Sequence, residues 1–208
     1  MRKMGLTIRP ATVADVPSLV RLRLANAEAH LALDPEIYRV PQQAAVLRHF
    51  TSVLADAAGR DAVLVAEAAD GHVVGMVEVL RHSDPPDHQI LRPEPSAQVH
   101  TVVLPEARGL GVGSALLAAA QQWATDQGIT YLSAGIHHRN DDAVRFYRRH
   151  GFTDAGLSLG RRLDQGPRRV PAQRRALLPT TRVSAGPAAL PWAGGGPGGY
   201  VERRLERG

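Results

Sequence analysis

The sequence predicts an α/β fold, with a mixed and mostly antiparallel central sheet flanked by helices. Three observations carry this. Two valine-rich runs meet at Asp70-Gly71, a strong hairpin turn. A strand-like run ending at Leu104 passes through a glycine-rich segment into a long amphipathic stretch, as where a strand feeds a helix. The chain has 208 residues, 44% of them hydrophobic, which suits one domain with a real core.

Leu6-Thr7-Ile8-Arg9 reads as a first strand, closed by Pro10. Thr12 caps a helix, and Asp15 favours the positive end of its dipole. Val16, Leu19, Val20, Leu22 and Leu24 supply the apolar stripe, which breaks at Asp34-Pro35. A second helix starts near Pro41 and buries Ala45, Val46, Leu47, Phe50 and Leu54. Ala62 to Ala66 and the return run His72 to Leu80 are the hairpin strands, and the proline-rich stretch 82–96 is a loop. Gln98 to Leu104 is a strand with Val99, Thr101 and Val103 on one face and His100 and Val102 on the other. Ser114 to Gln127 is a helix ended by Gly128, and Ile129 to Ile136 a strand. Asn140 caps a short helix running to His150. Phe152 to Leu163 holds two short strands bent at Gly156.

After Leu163 the composition changes. Residues 164–208 are dense in Gly, Pro, Ala and Arg, and such a segment cannot offset its ordering entropy. The expected organisation is a domain over 1–163 and a disordered tail over 164–208, either a flexible end or a partner-binding arm. The tail carries eight arginines and three acids, which is the entire net charge of +5. The rest is balanced, so it has no basic field to attract nucleic acid. The absence of cysteine excludes disulfides, thiolate metal sites and a cysteine nucleophile. No apolar run follows the basic start Met1 to Leu6, so the expectation is a cytoplasmic protein with no membrane segment.

Two segments carry chemistry. Arg108-Gly109-Leu110-Gly111-Val112-Gly113 joins a strand to a helix. Glycines there let the backbone turn sharply and let a ligand approach, and the helix start offers free N–H groups and partial positive charge. Together they make a pyrophosphate site, with Arg108 as a fork-shaped cation and Ser114 as a hydroxyl donor. By itself the loop could equally be a tight turn. It is not a dinucleotide fingerprint, because Ser114 stands where the third glycine would be. It is not a P-loop, because it has no lysine. The second segment is Asn140-Asp141-Asp142-Ala143-Val144-Arg145-Phe146-Tyr147, followed by Gly151-Phe152. It places Ala143 and Tyr147 on one helix face. Alone, Tyr147 could be ordinary packing. His137-His138 lack a third metal ligand and read as surface residues, so no metal site is expected.

In this order and spacing the two segments resemble the GNAT superfamily of N-acetyltransferases. Arg108, Gly111 and Gly113 meet its Arg/Gln-x-x-Gly-x-Gly/Ala motif. Asn140, Ala143, Phe146 and Tyr147 meet the Asn-x-x-Ala-x-x-Phe-Tyr pattern that follows. The resemblance covers about residues 5–163 and implies a GNAT-like acyl-CoA N-acyltransferase fold. It implies transfer of an acetyl group from acetyl-CoA to an amine of a small molecule or peptide, directly in a ternary complex. The pantetheine arm would pair with a splayed strand at Val102, Val103 and Leu104. The pyrophosphate would sit on Gly109, Leu110, Gly111, Val112, Gly113 and Ser114. Asn140 and Ala143 would line the cofactor, and Tyr147 would protonate the leaving thiolate. Glu78, His100 or a water chain is the candidate general base. The acceptor would be bounded by residues 29–40, where His30, Asp34, Glu36 and Tyr38 are polar candidates. The partners implied are acetyl-CoA and an amine, and the chain acts as a monomer or homodimer. The alternative is a catalytically silent acyl-CoA-binding module whose tail recruits a partner.

Overall fold

The computed structural model describes residues 5–56 and 60–160. Its five strands are β1 (Leu6–Pro10), β2 (Ala62–Ala68), β3 (Val73–Arg81), β4 (Ser96–Val103) and β5 (Tyr131–Ser133). Four helices accompany them: α1 (Val16–Leu33), α2 (Gln43–Ala55), α3 (Val112–Asp126) and α4 (Asp141–Arg149). The sheet runs in chain order, antiparallel from β1 to β4, with β5 parallel to β4. The compact unit that holds these elements ends at Asp154. No helix among the described residues is long and apolar enough to cross a membrane.

Alternation along the strands sends side chains to two cores. Leu64, Val77, Val79 and Val99 pack against Leu116, Leu117 and Tyr147 on the α3/α4 side. Val63, Val65, Met76 and Val102 pack against Leu19, Leu22 and Phe50 on the α1/α2 side. Helix α1 is fixed at its start by Asp15, whose carboxylate accepts from Thr12 N at 2.7 Å and from Arg9 Nη1 at 2.8 Å. Arg9 also bonds Glu67 on β2.

Several expectations are corrected. In α2 only Val46 and Phe50 are buried; Ala45 and Leu47 are exposed and Leu54 is half-buried. The helix meets the sheet along a narrow i, i+4 line rather than a broad face. β5 is three residues long, because its ladder to β4 ends at Gln98 opposite Ser133. Over residues 152–160 no strand forms; Leu157 and Leu159 are exposed, so no burial offsets the cost of extension. Residues 161–163 and the tail over 164–208 lie outside the described residues.

Candidate active site

Beyond Gln98 the strands β4 and β5 part, leaving one edge of β4 open from Val99 to Val103. Which main-chain groups face this fork follows from parity. Leu104 N donates to Val74 O at 3.0 Å, so Leu104 and Val102 direct their backbone to β3. Thr101 and Val103 therefore face the fork. Arg108 Nε bonds the outward carbonyl of Val103 at 3.2 Å. Of the three residues expected to pair with a ligand, only Val103 is aimed to do so. Val102 and Leu104 have spent their backbone on the sheet.

The cradle lies at the open end of β4. Gly109 and Gly111 hold φ of 75° and 84°, which glycine adopts without a Cβ penalty. A Cβ at either would meet nothing within 4 Å, so both conformations are set by the turn and not by crowding. Ala115 N is the first to close a helical bond, onto Gly111 O at 3.0 Å. The amides of Val112, Gly113 and Ser114 point out of the helix start, with its partial positive charge. Ser114 Oγ lies 3.0 Å from His150 Nε2, while His150 Nδ1 lies 2.8 Å from the Phe146 carbonyl. A carbonyl only accepts, so Nδ1 donates to it, and Nε2 is left to meet the Ser114 hydroxyl. This ties the start of α3 to the end of α4. Gly113 lets the two helices approach: a Cβ there would stand 3.2 Å from the Phe146 ring.

Asn140 Oδ1 accepts from Ala143 N at 3.2 Å and caps α4. That helix delivers Tyr147 to the fork. Its hydroxyl is buried and donates to Thr101 Oγ1 at 3.2 Å. Burial raises the phenol above its ordinary value, and hydrogen bonding by Thr101 pulls it back in part. The phenol is thus a protonated donor beside the open edge of β4.

On the opposite face Glu78 and His100 are cross-strand partners. Glu78 is buried and ion-paired with Arg23 of α1, and its Oε1 lies 3.9 Å from His49 Nε2 of α2. Burial alone would raise the Glu78 carboxyl; Arg23, His49 and His100 outweigh it and hold it at about 2. A carboxylate so stabilised is a weak base. His100 is lowered, first by burial and then by Arg23 and His30 against the pull of Glu78, so it stands neutral at neutral pH. Among the described residues no strand pairs with the outer edge of β4 beyond Gln98; the imidazole lies on one face of this stretch and the phenol on the other.

The wall over this face is the α1–α2 connection. His30 and Tyr38 meet edge to face at 5.0 Å, and Tyr38 meets His137 at 5.6 Å. His137 is buried rather than a surface residue, with its Nε2 3.5 Å from Asp34 Oδ2. The wall folds over a segment that would end a strand exposed. His138 is exposed as expected. Among the described residues no group of three or more His, Asp or Glu side chains is placed to hold a metal ion. Sequence reasoning missed Thr101, Arg23 and His49. Only Arg23 left a trace, as a charge four residues after Leu19 on the buried stripe.

A sheet opened by a fork, with a glycine cradle at its mouth and a phenol inside it, defines an acyl-transferring enzyme of the N-acetyltransferase class. The comparisons agree. The acetyltransferase (GNAT) family model matches residues 27–152. Aminoglycoside N(6')-acetyltransferase type 1 of Stenotrophomonas maltophilia is 37% identical over 153 residues, 71% of this chain and 86% of that protein. Two solved structures share the fold. A mutant of the Bacillus halodurans protein BH1408 gives a TM-score of 0.66 at 19% identity, covering 76% of this chain and 99% of its own. Aminoglycoside N-acetyltransferase AAC(6')-Iy, solved with CoA, gives 0.59 at 21% identity, covering 79% and 98%. The chain belongs to the acetyltransferase (GNAT) family, and its reaction is transfer of an acetyl group to an amine.

Proposed function

We propose that the donor is acetyl-CoA and that the amine attacks its thioester directly while both are bound. The single observation that carries this reading is the buried Tyr147 hydroxyl on Thr101, three residues into the open edge of β4. The outward amides of Val112, Gly113 and Ser114 would hold the pyrophosphate, and the main chain of Thr101 and Val103 would pair with the pantetheine arm. The left-handed turn at Gly109 and Gly111 supports this by leading the chain into a helix start whose amides are free.

An ammonium with an ordinary pKa of about 10.4 must lose a proton before it can attack. His100, neutral and facing the α1–α2 wall, takes that proton directly or through one water. The nitrogen then bonds the acyl carbon, the Val103 N–H faces the oxygen on which charge builds, and the carbon–sulfur bond breaks. Tyr147 gives its proton to the departing thiolate, and the surplus proton on the newly bonded nitrogen passes through solvent to the phenolate, leaving a neutral amide and a free thiol. With no cysteine in the chain, no cysteine-linked acyl-enzyme intervenes.

For the acceptor, the relative named as an aminoglycoside acetyltransferase supports a polycationic small molecule with a primary amine. Asp34 and Glu36 on the wall suit cationic groups. The test is thiol release from acetyl-CoA over aminoglycosides, polyamines and lysine peptides. Turnover is expected with an aminoglycoside, and Tyr147→Phe should lower kcat by about 10²–10⁴-fold with CoA affinity held within a few-fold. CoA binding without turnover on any amine would defeat the catalytic reading and leave a silent binding module.

A further inference from the structure

The Arg23 side chain is 15% exposed and its guanidinium lies over the Phe50 ring at 5.6 Å. It is directed at the sheet rather than at solvent, and the group it meets is Glu78. Beside Glu78 in register, on the same face, stands His100. The charged and titratable groups facing His100 are Glu78 from β3 and Arg23 and His30 from α1. His49 of α2 sits one step away, on the other Glu78 oxygen.

A carboxylate and an imidazole side by side compete for the same proton. Without the guanidinium, the Glu78 charge would favour an imidazolium at His100 and leave less free base at neutral pH. The guanidinium removes that competition twice over. It occupies a Glu78 oxygen, and its own charge disfavours a second cation next to it. We propose that Arg23 is a positioning residue of the transfer reaction: by binding the Glu78 carboxylate it reserves proton abstraction for the His100 imidazole. This rests on the reading of His100 as the base. It adds that the base is selected by a residue on α1.

The test compares Arg23→Met, Arg23→Lys, Glu78→Gln and His100→Gln by two readouts. One is the pH profile of kcat/KM with acetyl-CoA and an accepted amine. The other is an NMR titration of the His100 imidazole, which needs no acceptor. In Arg23→Met the freed carboxylate favours imidazolium, so the acid limb and the titration both move to higher pH. Activity on the acid side then falls about tenfold relative to the plateau, the change expected when the imidazole binds its proton ten times more tightly. Glu78→Gln moves both the other way, and Arg23→Lys restores the wild-type profile. Because the two displacements are opposite in sign, either variant decides if the other does not fold; thermal melts identify that case. An imidazole titration unmoved in the variant that folds overturns the proposal. An acid limb that survives in His100→Gln overturns instead the assignment of His100 as base, whatever Arg23 does.

Discussion

Tyr147 and Thr101 meet across the fork, and the bond between them sets how readily the phenol parts with its proton. Burial makes the phenolate costly, while Thr101 offsets part of that cost. In Thr101→Val the hydroxyl loses its partner inside the core, which should destabilise the fold by about 1–3 kcal/mol. The sign of the kinetic effect follows from the role. A proton donor works only while protonated, so activity falls as pH rises through the phenol's pKa. Removing Thr101's hydroxyl raises that pKa further, so the alkaline limb of the kcat/KM profile should move to higher pH. A limb in the wild-type place would mean that Thr101 packs against the ring without tuning it. Nothing in the sequence announced Thr101. It lies 46 residues from Tyr147, and only the fold brings them to 3.2 Å.

At the scale of elements, the start of α3 depends on one backbone conformation. Gly111 caps the helix at φ 84°, with no atom within 4 Å of where a Cβ would stand. The penalty for Gly111→Ala is therefore conformational, about 1–2 kcal/mol. Relief of that strain would turn the first-turn amides away from the ligand. CoA affinity by calorimetry should fall about tenfold, the equivalent of 1.4 kcal/mol. In Gly113→Ala the added carbon presses on the Phe146 ring, so that variant should lower the melting temperature through the α3–α4 contact. An affinity unchanged in Gly111→Ala would show that the cradle does not hold the pyrophosphate. This part of the site was legible because it is local: six consecutive residues encode the turn, the cap and the donors. The cap at Asn140 and the helix carrying Tyr147 were legible for the same reason. What escaped depends on neighbours distant in the chain. Val102 and Leu104 lose their backbone to β3 by a parity that no single strand declares. His137 is buried because Tyr38 and Asp34, on a connection about a hundred residues earlier, fold over it. β5 stops at Ser133 because its partner diverges, although the apolar pattern runs on to Ile136.

For the molecule as a whole, the sheet divides two apolar layers, and two buried carboxylates fasten helix α1 to the sheet. Asp15 at its start is bound to Arg9 of β1 and to Thr12, and Glu78 of β3 is bound to Arg23 farther along the helix. Asp15 is held at about 2, first by Arg9 and Thr12 against the cost of burial, compared with 3.8 for the free group. Glu78, also at about 2, starts from 4.5. Each folded-state value lies below the unfolded one, so each contributes stability that is complete above its unfolded value and lost as pH falls toward 2. For Asp15 the difference corresponds to about 2 kcal/mol at neutral pH, at about 1.4 kcal/mol for each tenfold change in proton affinity. Both losses fall on the same helix, so acid should loosen α1 and the layer it forms with α2 before the α3 side of the sheet. Urea unfolding followed by circular dichroism should show a steep drop in stability between about pH 5 and about pH 2.5. Asp15→Asn should cost about 2 kcal/mol at neutral pH and flatten that drop, because its share is already gone. A variant as stable as wild type at neutral pH, with the same acid dependence, would show that the Arg9–Asp15 pair does not anchor the helix. The catalytic consequence is specific: Arg23 and His30 ride on α1, so the environment of His100 should change over the same pH range in which the helix lets go.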